Sequence, residues 1–511
     1  MTSNLKTTVN SSLFFWSTIV AIACASFLLR RGGATPDVSW LIDMCQRIVN
    51  GEIAYIDIFE TTPPIPTLLY MPGVLISNIT GISAEIIVYA YAYAACLLSF
   101  ILILRILPKT IDGIGDSRWA IILPSAIFLF WLSTDAFAQR EFFGAIFSLP
   151  MLAVFMRHQT ENTWPPFSQR FWAAALCGFS VAIKPPLFAL PIILFAAYYL
   201  ILKRQIRFVY SSGLIAAAVF SVALTAASLM AFPAYLDGVT TLMRDVYVPI
   251  RSHPMIALQP AFLAILVCLL IIATLSYLEK PPQFIFFLAV TSLGYVIVYL
   301  SQGKFFPYQS LPAAFFSFVA AWALAWRKTE PLLPELRINA KQLATCAAIV
   351  AIPVVQLSTA FNSFYPRIHD MAWAEDLDRP TAVAITPSIS FSFPLARKIN
   401  AQWADRIHSQ WVSHYTKIAL KDPNISQEER EKYEYYFNYD LNRVATLISE
   451  ERPQLVLQCI NEKYLWLSDE LLARDPTLFD DYHVVAEEGM FRIWRLNNKV
   501  ATTTAITEPV Q

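Results

Sequence analysis

Three carboxylate residues stand in one short stretch near the start of the chain, where they could take a proton from a hydroxyl group or bind a metal ion. Asp37 precedes 39–49, in which apolar residues recur near the helical period, and Asp57 and Glu60 follow it, ahead of Pro63-Pro64. This spacing of the apolar residues predicts an amphipathic helix that lies at the membrane surface and ends at Gly51. The alternatives are that Asp37 is an N-cap and that Glu60 is a solvated loop charge.

A second charged loop, 133–141, lies between two apolar stretches. It holds Asp135, Arg140 and Glu141. Ionisable residues at a membrane boundary are costly unless they are paired or functional. The loop is therefore either a structural ion-pair cluster or an anion-binding arginine beside an acidic catalytic surface.

Two lysines interrupt apolar stretches further along the chain. Lys184 is followed by Pro185-Pro186, and Lys304 lies in the sequence GKFFPY at 303–308. A lysine at a helix end commonly extends its ammonium group to the lipid headgroups. Two lysines and one arginine that converge at one membrane face would instead suit the phosphate of a lipid carrier.

The loop from Phe232 to Pro254 carries charges of both signs, including Arg244, and also Tyr247. This mixture is typical of a solvated lid. No Walker, GxGxxG, HExxH or GxSxG motif occurs at a usable place in the sequence, and the 7 cysteines show no zinc-ligand spacing. Nucleotide hydrolysis, hydride transfer and zinc proteolysis therefore lack support.

The composition indicates what kind of structural elements position these residues. Of the 511 residues, 56% are hydrophobic and 15% are charged, whereas soluble domains have roughly 25% charged residues. This excludes a soluble globular enzyme, a disordered chain and a disulfide scaffold. Lys+Arg and Asp+Glu number 38 each, so there is no basic excess that would indicate nucleic-acid binding.

About eleven apolar segments have the length that a helix needs to cross a bilayer. We expect the first to be a retained span and the shorter segment 65–77, with Pro66 and Pro72, to lie in the membrane interface or to enter the membrane only part-way. The predicted spans are 12–29, 84–106, 118–134, 142–157, 171–184, 186–202, 208–231, 256–278, 284–301, 310–326 and 342–360.

The distribution of positive residues predicts the orientation of these spans. It places the N-terminus in the cytoplasm and the chain after Phe361 on the outer side of the membrane. The basic residues that then lie at the outer face are Arg30, Arg31, Arg140, Lys184, Arg244, Arg251 and Lys304.

Two parts of the chain differ in character. We predict a transmembrane domain at 1–361, with a first outer loop at 30–83 that contains amphipathic helices. Frequent charges and short β-like runs predict a small extracytoplasmic α/β domain at 362–511. The β-like runs are Thr381–Ile385, Gln454–Gln458, Tyr482–Ala486 and Phe491–Trp494.

The order of these motifs resembles the GT-C superfamily of polytopic membrane glycosyltransferases. The resemblance rests on a first span, an outer loop that begins with Asp, an amphipathic helix that ends in Gly, and YIDIFETTPPIP (55–66). AQREFFGAIFSLP (138–150), IKPPLFALP (183–191) and QGKFFPYQSLPA (302–313) are similar to further blocks of one bacterial subgroup. The similarity is greatest to bacterial relatives of protein O-mannosyltransferases and lipid A aminoarabinose transferases. It covers most of 12–360.

The resemblance implies a polytopic all-α membrane bundle of about eleven spans, GT-C-like, with the small α/β domain at its C-terminal end. It implies inverting transfer of a sugar from a polyprenyl-phosphate-linked donor to a hydroxyl of a glycan, lipid or protein. The expected place is the periplasmic face of a bacterial inner membrane, in the modification of lipopolysaccharide or another envelope polysaccharide.

The resemblance also implies roles for individual residues. Asp37 matches the general base, Glu60 and Asp135 match further acids, and Lys184, with Arg140 and Lys304, matches the residues at the donor phosphate. Candidate acceptor or lid residues are Tyr55, Asp57, Glu141, Arg244, Tyr247 and Tyr308. No organic cofactor is expected, and a divalent metal is less favoured because Val38 stands where many relatives have a second acid.

Three other functions remain open at this point. A transporter or flippase of lipid-linked sugars would place ionisable residues near the middle of its spans, whereas here they cluster at one face. A polymerase or ligase with a pyrophosphate-linked donor differs from the preferred function only in its donor. A non-catalytic scaffold for the C-terminal domain does not account for the acids and cations of the outer loops.

Overall fold

Long apolar helices dominate the computed structural model, which describes residues 2–30, 34–111, 115–209, 211–278, 282–329, 351, 354–361, 368 and 370–497. Among these residues, 6 helices are long and apolar enough to cross a membrane: Ser12–Leu29, Ala84–Ile106, Ser212–Ala231, Pro260–Tyr277, Gln283–Gln302 and Pro307–Arg327. Arg118–Leu132 and Leu187–Ile201 are apolar but shorter. The chain is therefore a membrane protein.

Helices occupy the predicted spans as far as the structure describes them. Three of the whole helices extend beyond the apolar windows given above: Thr2–Leu29, Pro260–Leu278 and Leu311–Thr329. Two further helices of the bundle are Arg140–Glu161 and Phe167–Ile183. Of the last predicted span, 342–360, only 351 and 354–360 are described, and they are helical. The count of eleven crossings remains a prediction. Arg31, the only basic outer-face candidate without a described position, lies outside the described residues.

The first outer loop is built from three short helices, Pro36–Val49, Pro64–Leu68 and Met71–Thr80. Pro36 begins the first of them, and Gly51 follows its end with a φ of +106° that a side chain would strain. The 10 residues of Met71–Thr80 span about 15 Å, half of a bilayer core. That length agrees with the prediction that this segment does not cross.

Two neighbouring helices of the bundle pack closely because small residues lie between them. Ser180 of Phe167–Ile183 donates a 2.8 Å hydrogen bond to the carbonyl oxygen of Gly144 in Arg140–Glu161. Phe167–Ile183 also packs closely against a third helix, Ser212–Ala231, since a Cβ atom at Gly178 would lie 2.6 Å from the carbonyl oxygen of Ala217. Since consecutive helices run in opposite directions, the start of Arg140–Glu161 and the end of Phe167–Ile183 meet at the same end of the bundle.

The C-terminal residues form an α/β unit. After the two-residue strands β1 (Thr110–Ile111) and β2 (Gly115–Asp116), five further strands form one sheet in the order β4-β3-β5-β7-β6. They are β3 (Thr381–Ile385), β4 (Gln402–Trp403), β5 (Leu455–Cys459), β6 (Tyr482–Glu488) and β7 (Phe491–Leu496). β3 pairs in parallel with β4 and β5, whereas β5, β7 and β6 pair antiparallel.

Helices Trp411–Ala419, Gln427–Thr446 and Leu465–Arg474 accompany this sheet. The four β-like runs in the sequence coincide with β3, β5, β6 and β7, whereas β4 is too short to show in the pattern. The predicted boundary at 361/362 adjoins residues 362–367, which lie outside the described residues.

Hydrogen bonds join the loop after β4, in the C-terminal unit, to the first outer loop. The backbone N–H of Phe59 donates to the carbonyl oxygen of Arg406 at 2.7 Å, and Arg47 donates to that of Asp405 at 2.8 Å. A further contact joins the C-terminal unit to the helix Ala84–Ile106, where Arg397 and Glu85 form an ion pair of 2.9 Å. The C-terminal unit therefore lies at the same end of the bundle as the acids of the first outer loop.

Candidate active site

Asp37 lies in the first turn of Pro36–Val49, where Thr35 holds the N-cap position. It is thus not the N-cap that the sequence left as an alternative. Gln139 donates a 3.4 Å hydrogen bond from Nε2 to Oδ2 of Asp37. Burial raises the pKa of the Asp37 carboxyl, and the lowering effects of Arg140 and Gln139 do not cancel that rise. A carboxylate with a raised pKa is a stronger proton acceptor.

Glu60 is buried, with 5% of its surface exposed, so it is not a solvated loop charge. Its Oε2 accepts a 2.5 Å hydrogen bond from the indole N–H of Trp40, and its Oε1 accepts one of 2.6 Å from the backbone N–H of Thr62. Although burial raises the pKa of Glu60, the pKa is lower than usual, because the Arg140 guanidinium and the hydrogen bonds from Thr62 stabilise the ionised carboxylate. Glu60 therefore stays ionised.

Arg140 lies between these two acids, at the start of Arg140–Glu161. One Nη donates to the hydroxyl of Thr62, and the other lies 3.5 Å from the hydroxyl oxygen of Tyr308. Its Nε has no hydrogen-bond partner in the part of the chain that the structure describes. The guanidinium group thus keeps a donor for a further ligand.

Lys184 and Glu141 form an ion pair across two helices. Nζ of Lys184 lies 2.5 Å from Oε1 of Glu141 and 2.6 Å from Oε1 of Gln302. Glu141 is 0% exposed, so Lys184 does not extend to the headgroups, and the acid pairs with Lys184 and not with neighbouring Arg140. Because an ammonium has three donors, one remains for a ligand.

Lys304 has other partners. Its ammonium donates to the carbonyl oxygen of Ile250 and lies 4.4 Å from the ring centroid of Tyr247 and 4.0 Å from that of Tyr415. Burial lowers the pKa of Lys304 to about 7. The lysine thus connects the loop 232–259 with the C-terminal unit.

His408, Trp40 and Gln139 contact the site and were not among the sequence candidates. The His408 ring lies edge-on to the Trp40 ring, with centroids 5.5 Å apart, and its Nδ1 is 2.8 Å from Oγ of Ser409. Burial lowers the pKa of His408 to about 4. Gln139 belongs to the QRE block and Trp40 to the amphipathic helix, so those patterns could have indicated them; no pattern pointed to His408.

Three predicted residues have other neighbours than the two acids in the contacts that follow. Asp135 belongs to the short turn Thr134–Ala136 and lies near Tyr89. Asp57 is exposed and accepts a 2.7 Å hydrogen bond from the backbone N–H of Ile53. Arg244 is exposed and pairs with Asp245 at 2.9 Å.

The structure brings the other candidates together. Tyr55 donates a 3.0 Å hydrogen bond to the carbonyl oxygen of Thr62, next to Glu60. We call the set that surrounds the two acids the acid–cation cluster; it consists of Asp37, Glu60, Arg140, Glu141, Lys184 and Tyr308. Among the described residues, no group of three or more His, Cys, Asp or Glu side chains is placed to hold a metal ion.

Comparison with solved structures identifies the fold of the chain. ArnT from Cupriavidus metallidurans, solved with bound undecaprenyl phosphate, superposes with a TM-score of 0.57 at 12% identity, over 98% of this chain and 99% of that one. The chain has the GT-C fold. The resemblance of the sequence to the GT-C superfamily is thereby confirmed for the fold.

Two structures of the arabinofuranosyltransferase AftD from Mycobacteria also match this chain, with lower TM-scores than ArnT. The first has a TM-score of 0.44 at 12% identity and the second, a mutant, 0.47 at 11%. They cover 94% of this chain, which spans only 40% and 41% of theirs. No protein-family model and no curated protein matches the sequence.

Proposed function

We propose that this protein is an integral membrane glycosyltransferase that moves a sugar from a polyprenyl-phosphate-linked donor to an acceptor hydroxyl, with inversion. The observation that carries the proposal is that the buried carboxyl of Asp37, held by Gln139, lies close enough to the Arg140 guanidinium for its charge to act on the pKa of Asp37. The full-length match to ArnT, which was solved with undecaprenyl phosphate, supports the choice of carrier.

The proposed reaction needs one base and a site for the leaving phosphate. The acceptor hydroxyl gives its proton to the carboxylate of Asp37, and its oxygen forms a bond to the anomeric carbon of the sugar. The bond from that carbon to the phosphate oxygen breaks on the opposite face, and the electron pair leaves with the polyprenyl phosphate. Arg140 and the free donor of Lys184 stabilise the negative charge that develops there.

Glu60 has a different task from Asp37 because its pKa is shifted the other way. An acid that stays ionised does not donate a proton, but its negative charge stabilises the positive charge that develops on the sugar ring in the transition state. We assign Asp135 no direct part in this step, and we assign Lys304 to holding the loop 232–259.

The proposed location is the periplasmic face of a bacterial inner membrane. The loop-by-loop distribution of Lys and Arg supports an N-terminus in the cytoplasm and a C-terminal domain in the periplasm. The acceptor is a hydroxyl of a glycan, a lipid or a protein of the cell envelope. An envelope polysaccharide or lipopolysaccharide is the preferred acceptor.

Two linked experiments test the function. Mass spectrometry of envelope glycans from a strain that lacks the gene should show one missing sugar. The glycan that lacks this sugar then serves as acceptor for the purified full-length protein in nanodiscs, with polyprenyl-phosphate sugars as donors. Asp37→Asn should lower transfer by about 10²–10⁴-fold, whereas Asp378→Asn, which changes an exposed carboxylate, should not.

The possible results separate the competing functions. Unchanged transfer by a folded Asp37→Asn variant would remove Asp37 from the role of base. If wild-type protein transfers no sugar but moves the lipid-linked sugar between the leaflets of a vesicle, the protein is a flippase and the proposal is wrong.

A further inference from the structure

A cleft of about 630 Å³ lies in the C-terminal unit, between the loop 404–406 and one face of Gln427–Thr446. Tyr435, Asn438, Tyr439 and Asn442 line it from the helix. Their spacing of three and four residues places all four side chains on one face. The volume falls within the range of roughly 300–1,000 Å³ that is usual for sites of small ligands. None of these residues belongs to the acid–cation cluster.

Two tyrosine rings form an exposed platform in this cleft. Tyr435 is 65% exposed and Tyr439 is 39% exposed. Their ring centroids are 6.5 Å apart and their planes differ by 18°, so the two faces are nearly parallel. The face of an aromatic ring carries partial negative charge and attracts the C–H groups on the apolar face of a sugar ring.

Polar groups for hydroxyls stand beside this platform. Arg474 donates to Oδ1 of Asn438 at 2.7 Å and to Oδ1 of Asn442 at 3.3 Å. Because these oxygens are engaged, the two amides present their NH₂ groups as donors. The carboxylate of Glu451, which also lines the cleft, supplies acceptor oxygens. Hydroxyl groups both donate and accept, so they suit this combination.

The charges around the cleft favour a neutral ligand over an anion. Arg443 donates to the carboxylates of Asp405 and, at 2.7 Å, Asp440. Arg406 directs one Nη to the carbonyl oxygen of Ile56 at 2.7 Å. The carboxylate of Glu451 also lines the cleft. A phosphate would meet the three carboxylates of Asp405, Asp440 and Glu451 against the two guanidinium groups of Arg406 and Arg443, whereas a neutral sugar ring is not repelled by this negative charge.

The loop that forms one wall of the cleft also contacts the candidate active site. The carbonyl oxygen of Arg406 accepts a 2.7 Å hydrogen bond from the backbone N–H of Phe59, the residue next to Glu60. We propose that the cleft binds a neutral sugar ring of the acceptor glycan and so holds the acceptor beside the first outer loop. The acceptor role, but not the sugar binding itself, rests on the proposed function.

Sugar binding is tested with the full-length protein in nanodiscs by saturation-transfer NMR. The probes are methyl pyranosides of glucose, galactose and mannose. Tyr435→Ala and Tyr439→Ala should each weaken binding of the bound probe by about 3- to 10-fold. Tyr435→Phe keeps the ring and should bind like wild type. Glu434→Ala is the matched control, because Glu434 is exposed on the same helix but does not line the cleft.

The transfer assay tests the acceptor role. Both alanine variants should raise KM for the acceptor glycan by a similar factor and leave KM for the lipid-linked donor unchanged. Equal saturation transfer in wild type and both alanine variants would overturn the proposed site. Tyrosine-dependent sugar binding by a protein that transfers no sugar would support the site and overturn the proposed function, so the two failures are distinct.

Discussion

The indole N–H of Trp40 donates a 2.5 Å hydrogen bond to Oε2 of Glu60. The same indole ring packs edge-on against His408 and Phe393 of the C-terminal unit, at centroid distances of 5.5 and 5.4 Å. One side chain of the first outer loop therefore both fixes an active-site acid and joins that loop to the C-terminal unit.

Trp40→Phe should steepen the acid limb of the pH–rate profile. The variant keeps an aromatic ring against His408 and removes only the hydrogen bond to Glu60. Since a hydrogen bond to a charged group is worth about 1.5–3 kcal/mol, and one pKa unit corresponds to about 1.4 kcal/mol, the pKa of Glu60 should rise by about one to two units. The acid limb of kcat, measured by transfer, should become steeper, because protonation of Glu60 then adds to protonation of the base Asp37.

The control for this change is Trp373→Phe. Trp373 also donates its indole N–H, at 3.0 Å to the carbonyl oxygen of Asp370, but it does not touch the cluster. A Trp40→Phe profile that coincides with wild type would show that the ionised state of Glu60 is not needed for transfer.

His408→Phe should reduce the loss of stability at acid pH. The pKa of His408 is lowered by burial to about 4, whereas an unfolded histidine has about 6.5. Because the folded state binds the proton less well, the stability associated with neutral His408 is present above pH 6.5 and is lost as the pH falls towards 4. Between these values, the melting temperature of wild type should fall more than that of His408→Phe.

A second histidine provides the comparison for this prediction. His483 is exposed in β6, and His483→Phe should keep the acid sensitivity of wild type. If the melting temperatures of wild type and His408→Phe fall by the same amount across the acid range, His408 is not buried in the neutral state.

The sequence indicated the helical bundle and the six residues of the acid–cation cluster for a physical reason, and the roles of those residues stay predictions. A helix in lipid needs a long apolar run, so acids and cations at its ends stand out, as Arg140 and Lys184 do. Which of them pair was not predictable: Glu141 and Lys184 are 43 residues apart, and their contact depends on how two helices are rotated. His408 lies in a water-soluble unit, where a histidine between polar residues is ordinary.

Single substitutions of the Lys184–Glu141 pair should destabilise the protein strongly. Glu141→Gln leaves the buried ammonium without its counter-ion, and Lys184→Met leaves a buried carboxylate. Removing one partner of a buried ion pair costs about 3–5 kcal/mol. The free energy of unfolding, measured by denaturant titration in detergent, should fall by about that amount, whereas Glu161→Gln in the exposed Arg157 pair should cost less than about 1 kcal/mol.

The double variant Glu141→Leu/Lys184→Met separates the structural role of this pair from its role in the reaction. Replacing both charges with apolar side chains should restore most of the stability. Transfer should remain low, with a raised KM for the donor, because the ammonium for the phosphate is absent. Wild-type KM in this stable variant would show that Lys184 does not contact the donor.

Lys304→Met should loosen the loop 232–259 from the C-terminal unit without weakening donor binding. The variant keeps the length of the side chain but removes its contacts with Tyr247, Tyr415 and the carbonyl oxygen of Ile250. Cation–π contacts are worth about 0.5–2 kcal/mol each. Hydrogen exchange of the backbone at 243–258 should therefore become several-fold faster, whereas exposed Lys398→Met should leave it unchanged. If Lys304 binds the donor phosphate instead, the variant will raise KM for the donor and leave the exchange rates at their wild-type values.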